Sequence, residues 1–372
     1  MNYNEYELGQ LLPYIQPTKY IVESTDYNND YKTPVLTAGK TFVLGYTNEE
    51  NGIYEDLPVI IFDDFTTASK YVNFSFKVKS SAMKILKPDT KLVDPKYIYY
   101  RMQIINIDHS THKRYWIQQF SKIKVSIPPI EEQRRIVSRI EELFSELDSA
   151  VETLQKTRQQ LEIYRQAVLK EAFQECTVSV KIEDVCIHVT DGDHMPPPKS
   201  ETGIPFIMIS NIQNNKINWN NTAFVNSNYF DKIIDKRRPQ QGDVLYTVTG
   251  SFGIPVLIDF DKKFCFQRHI ALLRPNEKIN QKYLYYVMQN PIVYEQARNK
   301  ATGTAQRTVG LSVLRKIEIP FVDSLVEQEK IVLNIENKMS VCDSIEKTVN
   351  ECLQQAEAMR QSILKKAFEG EL

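Results

Sequence analysis

The sequence has no apolar run approaching the roughly 18 residues of a membrane span. Its first residues, MNYNEYELGQ, lack the basic-then-apolar pattern of a signal peptide, so the expectation is a cytoplasmic protein without a membrane partner. Charge of one sign is also missing: 46 Lys plus Arg stand against 47 Asp plus Glu, a formal net charge of −1. That balance excludes a whole-molecule polycation, although binding to phosphates needs only a local basic stripe. Cysteine is sparse. Cys176, Cys186, Cys265, Cys342 and Cys352 are widely spaced and form no C-x-x-C pair, which argues against a zinc site or disulfide framework and for reduced thiols. Catalytic signatures are absent as well: there is no phosphate loop of the G-x-x-x-x-G-K-[ST] type, no H-E-x-x-H and no G-x-S-x-G. The nearest glycine-rich stretch, Thr249 to Gly253, is too short for a dinucleotide fingerprint and reads as a turn.

What is present is an internal repeat. The segment that begins at Glu132 and ends at Phe173 recurs from Glu327 to Phe368 at a constant offset of 195 residues, without a gap, and 19 of 42 positions are identical. Both copies follow an Ile-Pro pair, Ile127-Pro128 and Ile319-Pro320, and neither contains Gly or Pro before Gly370. Apolar residues recur every seven positions. In the first copy they are Ile140, Leu147, Leu154, Leu161 and Val168, and in the second Ile335, Cys342, Val349, Ala356 and Ile363. A second row reads as Ile136, Leu143, Ala150, Thr157, Tyr164 and as Ile331, Lys338, Ile345, Cys352, Met359. Sustained heptads predict two long helices that pair as a coiled coil. A fainter repeat precedes each helix: Lys96 to Gln103 matches Lys282 to Gln289, and Leu86-Lys87-Pro88 matches Leu273-Arg274-Pro275. LPVIIFDDFTTASKYVNFSF and GDVLYTVTGSFGIPVLIDF read as equivalent strand, polar loop, strand units.

The chain therefore reads as globule, helix, globule, helix, over residues 1–128, 129–175, 176–318 and 319–372. Short β-branched and aromatic runs between Gly, Asn and Pro turns make each globule α+β, with an irregular, curved sheet whose strand order periodicity does not fix. One decoy for an enzyme is Asp89, Asp94 and Lys96, which mimic the two carboxylates and lysine of a nuclease. Its counterpart, Arg274 to Lys282, keeps the lysine but has no matching carboxylate pair, so the reading is set aside. His269 beside Arg268, and His109 with His112, have no nucleophile or ligand set nearby and read as surface or contact residues.

With that plan, the sequence resembles the DNA-specificity subunit of type I restriction-modification systems. The resemblance covers essentially the whole chain. It rests on Glu132-Gln133-Arg134-Arg135-Ile136-Val137, on Glu141 to Asp148, and on Arg360 to Gly370, with Gly242 to Tyr246 and Gln267 to Ala271 as shorter familiar strings. The resemblance implies two target-recognition domains, each reading half of a bipartite double-stranded DNA target, and two helical regions that pair antiparallel and dock two modification subunits. It implies that this chain is not an enzyme and binds no cofactor or metal. Methyl transfer and cleavage, with S-adenosylmethionine, ATP and Mg, then belong to modification and restriction or translocase partners. A helix of about 44 residues spans about 66 Å, long enough to set a spacer. Because the loops of the two copies differ, the halves of the target are expected to differ. Residues alone leave a competing reading open, a coiled-coil scaffold whose globules bind proteins.

Base reading calls for donors and acceptors on loops. In the second globule the candidates are Asn211, Asn214, Lys216, Thr249, Ser251, Arg268, Lys300, Thr304, Gln306 and Arg307, with Asn215 and Thr302 beside them. Ala301 to Gly310 is the leading stretch. In the first globule they are Thr67, Ser69, Lys70, Lys113, Arg114 and Tyr115. Lys236-Arg237-Arg238 reads as solvated surface, Trp116 and Trp219 as packed, and Arg158 and Arg165 as bordering the helix seam or facing a partner. Charge supports DNA mainly in the second globule: residues 176–318 carry 18 basic against 13 acidic side chains, whereas 1–128 carry 15 against 14.

Overall fold

The structure, a computed structural model, describes residues 3–39, 41–107, 114–192, 197–304 and 306–372. The chain divides into two compact units, Met1–Leu154 with Glu351–Leu372, and Gln155–Asn350.

The first unit opens with β1 (Asn4–Glu7), α1 (Leu8–Leu11) and β2 (Tyr14–Ile15). Six strands follow: β3 (Thr33–Leu36), β4 (Val43–Thr47), β5 (Val59–Asp63), β6 (Ser69–Val72), β7 (Lys77–Val78) and β8 (Met83–Leu86). Helices α2 (Pro95–Gln103) and α3 (Tyr115–Gln118) and strand β9 (Lys124–Ile127) lead into the long helix α4 (Ile130–Ala172). β1 and β9 pair antiparallel, β2-β8-β5-β6 form one sheet, and β4-β3-β7 form another in which β3 and β7 run parallel. The central strand β5 is apolar along its length because both of its faces are covered. Side chains alternate across a strand, so Ile60 and Phe62 enter a cluster with Tyr97, Ile98 and Trp116, while Val59 and Ile61 enter a second with Leu36, Phe76 and Val78.

The second unit repeats this plan. Its elements are β10 (Val178–Lys181), α5 (Ile182–Val185), β11 (Cys186–Asp191), β12 (Ile204–Ile207), β13 (Ile212–Gln213), β14 (Lys216–Ile217), β15 (Ala223–Val225) and α6 (Ser227–Asp231). β16 (Val244–Thr247), β17 (Pro255–Leu257), β18 (Cys265–Phe266) and β19 (Ile270–Pro275) follow, then α7 (Gln281–Val287), α8 (Pro291–Lys300), α9 (Leu311–Arg315), β20 (Glu318–Phe321) and the long helix α10 (Leu325–Glu369). β10 pairs with β20, the larger sheet runs β11-β19-β16-β17, and the smaller runs β15-β12-β18 with β12 and β18 parallel. Each of these three sheets has its counterpart in the first unit, strand for strand, and the second unit adds the β13-β14 hairpin. Instead of one curved sheet, each globule builds several small ones, because runs of two to six residues are cut by Pro, Gly and Asn turns. All five cysteines are free thiols.

The long helices pair antiparallel within each unit. In the first, Ile140 and Phe144 of α4 pack with Leu364 and Ala367 of α10, and Asp148 accepts from Arg360. In the second, Arg165 of α4 bridges Asp343 (2.6 Å) and Glu346 (2.8 Å) of α10, and Glu171 meets Lys338 at 3.3 Å. These contacts obey the repeat: Arg165 and Asp148 of the first copy correspond to Arg360 and Asp343 of the second. The heptad row is shielded from solvent throughout, with Ile140, Leu161, Val168, Ile335, Cys342, Val349 and Ala356 buried and Leu147, Leu154 and Ile363 half-buried. The second row lies one position beyond the one read from the sequence. It consists of Val137, Phe144, Val151 and Arg165 on α4, and Val332, Met339, Glu346, Leu353 and Arg360 on α10. Ile136 and Ile331 are half-buried against their own globules, whereas Ala150, Tyr164, Ile345 and Met359 are exposed.

A buried glutamine fixes each helix to its globule. Gln133 is wholly buried; its Oε1 accepts from the Asp94 amide (2.7 Å), and its Nε2 donates to the carbonyls of Leu92 (3.1 Å) and Pro128 (2.8 Å). Gln328, also wholly buried, accepts from the Asn280 amide (2.7 Å) and donates to Lys278 (2.9 Å) and Val322 (2.8 Å). Asp94 and Asn280 in turn cap α2 and α7, each accepting from two backbone amides. Lys96 and Lys282, two residues on, pair with Glu141 of α4 and Glu336 of α10. The nuclease-like residues are therefore structural: Asp94 is a helix cap, Lys96 an ion-pair partner, and Asp89 accepts from the Lys91 amide in a turn. The far end of each helix grips the other globule. Tyr97 of α2 meets Phe368 edge-on at 5.2 Å, and Tyr283 of α7 meets Phe173 in the same way at 5.2 Å.

Gln133→Ala would strand one buried amide and two carbonyls and is expected to cost about 2–4 kcal/mol of unfolding free energy in urea denaturation. Gln133→Glu, which aims a carboxylate oxygen at two carbonyls, should cost more than the alanine variant. The same order is expected at Gln328.

Candidate nucleic-acid interface

In the second globule three loops converge at one end of the larger sheet. The first is the β16–β17 hairpin tip, Val248 to Ile254. It turns on Gly250 (φ +67°) and Gly253 (φ +96°), where L side chains are strained. The Thr247 hydroxyl clamps the tip by donating to the Ser251 carbonyl (2.9 Å) and accepting from the Ile254 amide (2.9 Å). The second is the turn between β18 and β19, tied down on both sides: the Gln267 amide donates to Ile207, the Ile270 amide to Gln267, and the Val248 amide to His269, each at 3.0 Å. The third loop joins α8 to α9. Its Thr302 and Thr308 exchange backbone hydrogen bonds (3.0 and 2.8 Å), and it is stitched to the hairpin by Gly250 N to Arg307 O (2.9 Å) and Val309 N to Val248 O (2.8 Å).

Between them lies a cleft of about 300 Å³ lined by Thr249, Arg268, His269, Gln306 and Thr308, with Asp191 at its edge. Thr249 is largely buried, with its hydroxyl 3.4 Å from that of Thr308; Arg268, Gln306, Arg307, Ser251 and Thr304 are exposed. Neither Arg268 nor Arg307 enters an ion pair among the described residues, so both present their charge outward. Burial, together with the adjacent Arg268, holds the His269 imidazole below its ordinary pKa. Asp191, the acid at the edge, is engaged by Arg237 at 3.1 Å.

The first globule has the same frame with different chemistry. The Asp64 amide donates to Ala82 (3.1 Å) and its carbonyl accepts from the Tyr115 amide (3.0 Å), the positions that Val248, His269 and Val309 hold in the second globule. Asp64 is buried and also accepts the Trp116 amide at 2.9 Å, while facing the equally buried Lys84 at 3.6 Å. At the β5–β6 tip, Asp63 accepts from the Phe65 and Thr66 amides (2.9 and 3.0 Å) and Thr67 takes φ +59°. This holds the Phe65 ring out in solvent, 55% exposed. Where the second globule carries Gln267-Arg268, the first carries Ser80-Ser81.

The expected reading residues therefore divide. Thr249, Ser251, Arg268, Thr304, Gln306 and Arg307 come together on the three loops, and Lys300 stands exposed at the end of α8 where the third loop begins. Asn211 does not belong to them: it is buried, accepting from the Met208 amide and donating to the Asn218 carbonyl, and so locks a turn. Asn214 (φ +50°) and Asn215 (φ +58°) form the two-residue turn between β13 and β14, and Lys216 lies with Lys282 and Glu336 in a separate cavity beside α7 and α10. In the first globule Thr67 and the exposed Arg114 flank the equivalent loops. Tyr115 is only 2% exposed and packed inside, so it cannot reach a groove, and Ser69 is buried with its hydroxyl accepting from Gln103 at 2.8 Å. Lys70 is half-buried on β6. Lys113, like His109 and His112, lies outside the described residues. Trp116 is packed against Phe62 and Phe120. Of the basic run, Arg237 and Arg238 are held by Asp191 and by the Asp231 carbonyl. Thr308 falls in the leading stretch, Ala301 to Gly310, and His269 reads from the sequence as a surface or contact residue, whereas Phe65 carries no sequence signal for this surface.

The sequence profile described as the type I restriction modification DNA specificity domain matches residues 1–162 and again 177–355. This chain belongs to that family. It is 52% identical over 126 residues to the EcoR124I/EcoR124II specificity subunit of Escherichia coli, which covers 32% of this chain and 31% of that subunit. It is 26% identical over 275 residues to the EcoBI specificity subunit of Escherichia coli, 66% of this chain and 58% of that one. The chain thus spans about a third and somewhat over half the length of these two relatives. In fold it resembles a chain solved for the structural basis of complex assembly and conformational transition of the type I R-M system, with TM-score 0.72 and 17% identity over 100% of this chain and 98% of that one. Among the described residues no three His, Cys, Asp or Glu side chains are grouped to hold a metal, and no helix is long and apolar enough to cross a membrane.

The buried Asp64–Lys84 pair makes the first interface sensitive to truncation. Asp64→Ala leaves Lys84 buried without its partner and should cost about 3–5 kcal/mol in chemical denaturation. Asp64→Ala combined with Lys84→Met should recover a large part of that loss.

Proposed function

We propose that the chain is the sequence-reading subunit of a type I restriction-modification complex, in which each globule reads one half of an asymmetric bipartite DNA target. The observation that carries this is the pair of loop surfaces. The same backbone frame is built twice, with Arg268, Gln306 and Ser251 on one copy and Phe65, Thr66 and Arg114 on the other. A duplicated frame with divergent side chains suits two readers of unlike sequences. The basic excess of residues 176–318 supports phosphate contact by the second globule; the first relies on its equivalence. The paired helices set the spacing between half-sites and dock two modification subunits. Methyl transfer, translocation and cleavage, with S-adenosylmethionine, ATP and Mg, belong to partner modification and restriction subunits in the cytoplasm. A scaffold that binds proteins through its globules is the competing reading, and it predicts no salt-sensitive DNA binding.

Exchanging Ala301 to Gly310 for the loop of another specificity subunit should change one half of the methylated motif, as read by methylation sequencing of cells that also carry the modification partner. A change in both halves or in neither would defeat the half-site assignment.

A matched heptad added after Gln155 and after Asn350 preserves both helix rows and lengthens each rod by about 10 Å. The spacer of the methylated motif should then grow by about three base pairs, at 3.4 Å per step, with both half-sites unchanged; a constant spacer would sink the ruler.

A further inference from the structure

We infer that Arg268 reads a guanine in the half-site of the second globule, and that His269 is the positioning residue that sets its guanidinium for the task. The inference rests on the DNA-reading function proposed above and adds the identity of one base pair and of the group that recognises it.

Arg268 stands at the second position of the turn from Gln267 to Ile270, whose backbone is anchored to β12 on one side and to the hairpin tip on the other. Its Nε donates to His269 Nε2 at 3.3 Å. That contact occupies the inner edge of the guanidinium and requires the imidazole to be neutral with its proton on Nδ1, in keeping with its lowered pKa. Nη1 and Nη2 make no hydrogen bond among the described residues, and Arg268 lines the open cleft. Asp191, which also lines that cleft, pairs with Arg237 at 3.1 Å. A guanidinium fixed at Nε with two parallel N–H groups free is the donor pattern that matches O6 and N7 of guanine in the major groove. The same fork also fits a phosphate, but only a guanine contact makes the preference for one base pair depend on Arg268. In the first globule the equivalent position is Ser81, so the fork exists on one side only and its effect must be confined to one half-site.

The test uses the complex of the full chain with its modification subunits, on a duplex carrying the motif found by methylation sequencing. Arg268→Ala should remove the preference for one G·C pair in one half-site, on the order of 5- to 150-fold, and leave the other half intact. Arg268→Lys, which keeps the charge, should lose the same preference while retaining affinity for non-specific duplex. Replacing that guanine by 7-deazaguanine should weaken wild-type binding and leave Arg268→Ala unaffected. His269→Gln, with an acceptor near the Nε2 position, should stay close to wild type, whereas His269→Ala should lose part of the preference. An unchanged motif in Arg268→Ala would make Arg268 a phosphate contact and overturn the inference; full preference retained by Arg268→Lys would overturn the guanidinium fork as the reader. His269→Ala matching wild type would remove the positioning role. A wild-type motif without two halves would instead defeat the underlying function.

Discussion

The rest of the structure depends on one buried amide used twice. Gln133 and Gln328 each tie the first turn of a long helix to the cap of a globular helix and to the chain entering from the sheet. A wholly buried primary amide is costly unless its donors and acceptor are met, and at both sites Oε1 accepts one bond and Nε2 donates two. The contact is directional, so it fixes the angle at which each helix leaves its globule; apolar packing alone would allow it to slide. Within each unit the helix pairing is then closed by a charged contact, Arg360 with Asp148 in the first and Arg165 with Asp343 in the second.

Polar contacts along the rods do a different job. Asp148 and Asp343 are largely exposed, and pairs of that kind contribute at most about 1 kcal/mol each. Their value is in register: the one second-row arginine paired on each helix, Arg165 and Arg360, finds its acid only when the helices are antiparallel and unshifted. The apolar row of Ile140, Leu161, Val168, Ile335, Cys342 and Val349 supplies the burial, while the charged row selects the alignment.

Much of this was legible in the sequence, for identifiable reasons. The repeat was visible because the helices bind each other and the globules at equivalent points, so identity concentrates at Gln133, Ile140, Arg165 and Phe173 and at their partners 195 residues on. The second heptad row was misplaced by one residue. Ile136 and Ile331 pack on their own globules near the helix starts, Ile136 also on the seam of Ile140 and Leu364, whereas farther along the same row Ala150, Tyr164, Ile345 and Met359 stand in water. Among the candidate residues, Ser251, Arg268, Gln306 and Arg307 lie on the surface, whereas Thr249, Asn211, Ser69 and Tyr115 are buried. A polar side chain in a turn is equally suited to bind a groove or to satisfy its own backbone, and only tertiary neighbours decide. His269 reads from the sequence as a surface or contact residue, but its partner is the Arg268 beside it, and no local pattern reveals the hydrogen bond between them.

The first unit is discontinuous in sequence, and this bears on its order of assembly. Ile140, Phe144 and Tyr97 are covered by Leu364, Ala367 and Phe368, which follow roughly two hundred residues later. During synthesis the first globule emerges early, yet its helix must keep an apolar flank uncovered until residues near Phe368 leave the ribosome. The second globule faces no such delay, because Val168 and Phe173 are already made when its own strands appear. A polypeptide cut short before Phe368 would carry a finished second globule and an unsealed first one. Its exposed apolar flank would leave it open to proteolysis.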